Sequence, residues 1–84
     1  MPVVYRVYPN ASAWWVSLDE DATPLRFPSL ALAERRARFL AVRQAVRGQD
    51  VEIHVLDAVG VLVGRWSGER YEPAAAATLA QIAA

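Results

Sequence analysis

Apolar and polar residues alternate with a period of two in four stretches of the chain and with a helical period in one long stretch between them. Val3–Tyr8 and Trp14–Leu18, rich in β-branched and aromatic residues, predict an antiparallel hairpin closed by the turn formers Pro9-Asn10-Ala11-Ser12-Ala13. Alternation puts Tyr5, Val7, Trp14, Val16 and Leu18 on one face and turns Arg6, Tyr8, Trp15 and Ser17 to the other. Val51–Leu56 and Val61–Trp66 predict a second pair, joined by a tight turn over Asp57-Ala58-Val59-Gly60 with Gly60 at positive φ. The phase of the last strand stays open: either Val61, Val63 and Arg65 or Leu62, Gly64 and Trp66 point away from the helix. Leu25-Arg26-Phe27 reads as a brief extended segment.

The helical stretch is Ser29–Gly48, dominated by good helix formers and free of internal Pro and Gly. Pro28 keeps Phe27 out of helical geometry, Ser29 suits an N-cap, and Gly48 suits the left-handed position that ends a helix. At about 100° per residue, Leu30, Ala33, Ala37, Leu40 and Ala41 share one face, where the small Ala side chains allow close approach to a sheet. Leu32, Phe39, Val42 and Val46 form a second apolar stripe, with Arg36, Arg43 and Arg47 between the stripes. A helix laid on one sheet needs a single apolar stripe, so the second calls for another partner.

Ser67-Gly68-Glu69 breaks the fourth strand. Pro73 suits a first helical turn, and the Ala-rich residues after it predict a short terminal helix, marginal unless docked. The expected fold is therefore α+β: a four-stranded, mainly antiparallel sheet in the order ββαββ, one long helix on one face, and a short C-terminal helix. One domain spans residues 1–72, and residues 73–84 form its tail.

Composition sharpens the picture in two places. Hydrophobic residues make up 55% of a chain of only 84, which is too much for a small core to hide easily and points to burial between chains. Nine arginines balance nine carboxylates, so the chain is a poor general binder of nucleic acid or anionic membrane. No cysteine is present, which removes disulfides, thiolate nucleophiles and cysteine-based metal sites. Neither a signal-peptide pattern nor an apolar run near the roughly 18 residues of a membrane span is seen, which makes the cytoplasm the expected location.

Chemistry has few residues to work with. His54 is the sole histidine, and Asp57, three positions on, would face the other way in an unbroken strand. Ser17 and Ser67 lack the strand-turn-helix context of an activated nucleophile. Asp19-Glu20-Asp21 lacks the Gly and terminal Glu of a calcium loop and reads as solvated. Arg35-Arg36-Ala37-Arg38, with Glu34 beside it, reads as a solvated or salt-bridged helix face. Neither an enzyme nor a bound cofactor or metal is expected. Arg6, Tyr8, Trp15 and His54 collect on the sheet face away from the helix, where aromatics and arginine could stack single-stranded nucleic acid. Coverage of that face by the tail or a second chain is the preferred reading, given the neutral charge.

The pattern Tyr5-Arg6-Val7-Tyr8-Pro9-Asn10 followed by Trp14-Trp15-Val16, a Ser29 cap, Ala33, Ala37, Leu40 and Ala41 on the helix, then His54, Asp57 and Gly60, resembles a family of short bacterial proteins classed as a domain of unknown function. The likeness runs from about Tyr5 to Arg65 and departs in the absence of lysine, the doubled Trp and the Ala-rich tail. It implies the strand-strand-helix-strand-strand order and favours Leu62 inward; it implies no activity and no catalytic residue. The expected function is a non-enzymatic module that self-associates as a homodimer, with Leu32, Phe39 and Val46, or Arg6, Tyr8, Trp15 and His54, as its contact residues. A single-strand nucleic-acid binder is the alternative.

Overall fold

The computed structural model describes residues 2–18 and 23–74. Its elements are β1 (Val3–Asn10), β2 (Ala13–Leu18), β3 (Leu25–Phe27), α1 (Leu30–Val46), β4 (Val51–Leu56), β5 (Leu62–Ser67) and β6 (Arg70–Pro73). The strands form one mixed sheet in the order β3-β2-β1-β4-β5-β6. Neighbours are antiparallel except β1 and β4 at the centre, which run parallel because α1 carries the chain back across the sheet between them. The α+β class and the single long helix on the sheet agree with the sequence. The expected four-stranded ββαββ sheet is corrected to six strands.

Both additional strands arise at turns. Leu25–Phe27 pairs with Trp14–Val16, so the brief extended segment is the edge strand β3. At the other edge Gly68 has φ +63° and lets the chain reverse after Ser67, so Arg70–Pro73 returns along β5 as β6. The expected strand break is therefore a hairpin, and Pro73 sits opposite Gly64 as the last residue of β6. Proline is tolerated there because an outer strand need not donate on its free side. The predicted terminal helix covers residues 74–83; Ala74 is in helical geometry, and the rest lies outside the described residues.

The first turn is also shorter than expected. Pro9 and Asn10 continue β1 opposite Trp14 and Ala13, and only Ala11 and Ser12 turn, at φ 52° and 63°. Pro9 fits in this central strand because pairing with β4 ends at Val7. The second turn follows the expected geometry: Gly60 has φ +87° and donates to the Asp57 carbonyl at 3.1 Å. The Asp57 carboxylate accepts from the Val59 and Val61 amides at 3.0 and 2.9 Å.

Helix α1 starts and stops where its caps dictate. The Ser29 hydroxyl accepts from the Leu32 amide at 3.3 Å, a contact worth about 1 kcal/mol at an N-cap. Gly48, at φ +84°, donates to the Ala45 carbonyl at 2.9 Å and ends the helix. Ala33 and Ala37 are fully buried against a core of Tyr5, Val7, Val16, Ile53 and Val55, and Leu30, Leu40 and Ala41 pack at its margin. The helix lies over β1, β2, β3 and β4 and leaves β5 and β6 outside its footprint.

Candidate interaction surface

The helix is large outside and small inside. Its buried residues are Ala33 and Ala37, whereas Leu32, Phe39, Val42 and Val46 are 44%, 52%, 57% and 82% exposed. Alanine at the contact lets α1 come close to the sheet, which is why the bulky residues are not needed there. They fall on the outer side because a period of 3.6 residues separates positions 32, 39, 42 and 46 from positions 33 and 37.

Beside this stripe, where the sheet runs on beyond the helix, lies an open groove of about 1180 Å³. Ile53 and Trp66 line it from the sheet, and Phe39, Val42 and Val46 line it from α1. Trp66 joins the two sides. Its indole N–H donates to Glu34 Oε2 at 3.0 Å, and the Arg38 guanidinium stands 4.3 Å from the ring centroid. Tyr71 adds a tilted ring contact at 5.1 Å and lies over Gly64, where a Cβ would run into its phenol. Gly64 and Trp66 therefore face the helix side, and Arg65 faces away. This settles the open phase for those three residues; a bulge between Val55 and Leu56 interrupts the alternation at Leu62, which is exposed opposite Leu56.

The arginines of the helix are not salt-bridged. Arg35, Arg36, Arg38, Arg43 and the C-cap Arg47 are all exposed, and none has a carboxylate within 4.0 Å among the described residues. Glu34, their sequence neighbour, serves Trp66 instead. Arg36 and Arg43 stack on Phe39 at 5.4 and 5.9 Å from its centroid, holding the ring in place on the surface.

The opposite sheet face gathers the other sequence-selected residues. Tyr8 stands across from Trp15, and Arg6 across from His54, all half-buried, with no described element over them. The Trp15 indole N–H folds back to donate to the Asn10 carbonyl at 3.0 Å. His54 Nε2 and Glu52 Oε1 are 2.9 Å apart, and Arg65 stands 3.8 Å from Glu52 and 3.3 Å from Glu72. Asp57 takes no part, because its carboxylate caps the turn. Ser17 is two strands from His54, about 10 Å at the usual strand spacing, with Arg6 between them. Among the described residues no three His, Asp or Glu side chains cluster as metal ligands, and no helix is long and apolar enough to cross a membrane.

The sequence alone singled out neither Glu52 and Glu72 nor the pair Glu34–Trp66, and it put Arg65 on this face in only one of the two open phases of the last strand. Glu52 was accessible, since it lies two residues before His54 in a strand and so shares its face. The others depend on which strands become neighbours. No family model matches the chain, and no curated protein or solved structure matches it either.

Proposed function

We propose that the protein is a non-enzymatic interaction module that self-associates as a homodimer through the outer stripe of α1 and the groove beside it. One observation carries this reading: Leu32, Phe39, Val42 and Val46 are four exposed apolar residues on the outer side of α1, away from the core contact of Ala33 and Ala37. Such surface on a small soluble domain marks a contact site. The kinship with the domain-of-unknown-function family is part of the same proposal and rests on the residue pattern between Tyr5 and Arg65. On the opposite face Arg65 stands between Glu52 and Glu72, and Glu52 also lies beside His54; these carboxylates work against the nucleic-acid alternative.

Sedimentation equilibrium at micromolar concentration tests the proposal. The expected mass is that of two chains, falling to one in a Phe39→Glu, Val46→Glu double variant whose circular dichroism is unchanged. A single-chain mass for the native protein overturns it.

A further inference from the structure

The groove beside α1 is electrically polar along its length. Arg35 and Arg38 line it toward the N-terminal half of the helix, and Asp50 and Glu69 line it at the far end, past the helix C-terminus. Between them lie the apolar Phe39, Val42 and Val46. Along the helix axis Arg38, the nearer of the two arginines, lies about 12 Å before Val46, from the 1.5 Å rise per residue. None of the four charged groups has an ion-pair partner among the described residues, and all four are exposed. Glu34 also lines the groove at the basic end, hydrogen-bonded by the neutral Trp66 indole, so it offsets part of the charge of the two arginines but leaves that end net positive. Arg36 and Arg43 stack on Phe39 and do not line the groove.

A surface that is basic at one end, acidic at the other and apolar between complements itself when turned end for end. Resting on the self-association proposed above, we infer that two copies meet across this groove about a twofold axis, their α1 helices antiparallel. Arg35 and Arg38 of each copy then face Asp50 and Glu69 of the other, and the Phe39–Val42 region meets itself at the axis. A parallel arrangement would stack arginine on arginine, a like-charge contact that suppresses the wrong pairing. A closed twofold contact uses the same patch on both chains, so every charged pair occurs twice. A standard interface takes about 800 Å² from each partner, roughly an eighth of the 5966 Å² exposed on one chain.

Charge reversal tests the orientation. Arg35→Glu and Glu69→Arg each set two like-charge contacts in the dimer, and each is expected to weaken the dimerisation constant at least about tenfold, as read by sedimentation equilibrium. The double variant restores the opposite charges with their positions exchanged and is expected to dimerise within about threefold of the native chain. Arg38→Glu with Asp50→Arg forms a second, independent set, and the thermal midpoint of each variant reports whether it folds. If the single reversals leave a native dimer intact, or the double variant is no better than the singles, this orientation is wrong and the copies meet elsewhere. A native mass of one chain removes both this inference and the self-association beneath it.

Discussion

Trp66→Phe tests how the groove is built. Trp66 ties β5 to α1 through its 3.0 Å hydrogen bond to Glu34 and its contact with Arg38, and α1 otherwise packs over β1 to β4. Phenylalanine keeps a ring for Arg38 and Tyr71 but removes the N–H, leaving the part-buried Glu34 carboxylate without its donor. A hydrogen bond to a charged group contributes about 1.5–3 kcal/mol, and partial exposure at both partners puts this one at the lower end, about 1.5 kcal/mol. For a domain of this size about 1 kcal/mol moves the melting midpoint by roughly 4–8 °C, so a fall of about 8 °C is expected. Thermal unfolding must be followed at one fixed concentration, because association would raise the midpoint by mass action. The cycle completed with Glu34→Ala and the double variant isolates the pair, with an expected coupling of about 1 kcal/mol. A coupling under about 0.3 kcal/mol would show that β5 is held to the helix by something other than this bond.

Two further substitutions probe the fold. Ala37→Leu forces bulk into a fully buried contact with the sheet and should cost about 1–3 kcal/mol, measured by urea unfolding at one fixed concentration; an unchanged midpoint would mean the helix does not sit as close as Ala33 and Ala37 require. Ser12→Gly relieves a left-handed residue at φ 63° and should raise stability by about 0.5–1 kcal/mol in the same assay; a loss of stability would refute the two-residue turn.

The sequence made the long elements legible and the short ones not. Alternation located β1, β2, β4 and β5 and put Tyr5, Val7 and Val16 on the core face, because a half-buried strand must alternate over its whole length. Ser29 and Gly48 bounded α1 because caps are local chemistry. Strands of three and four residues carry too few alternations to register, so β3 read as a segment and β6 as a break with a helix after it. The parallel pairing of β1 with β4 is not written in either strand; it follows from the crossover through α1. The same limit applied to the candidate surface. Helical period alone exposed Leu32, Phe39 and Val46, but the links from Glu34 to Trp66 and from Arg65 to Glu52 and Glu72 join residues that only strand order brings together.

The inverted helix also explains why the apolar stripe and the arginines belong together. With Ala33 and Ala37 at the sheet, the fold gains nothing from Phe39, Val42 or Val46, and each could be polar without cost to the core. An apolar surface left bare on a neutral chain invites indiscriminate association. Arg35 and Arg38, both exposed at one end of the groove, would repel a copy that brought its own arginines against them. A partner surface that brought carboxylates to Arg35 and Arg38 would bury the groove without stranding those two charges. Asp50 and Glu69 line the same groove at its other end, and the proposed antiparallel contact of two copies rests on that placement.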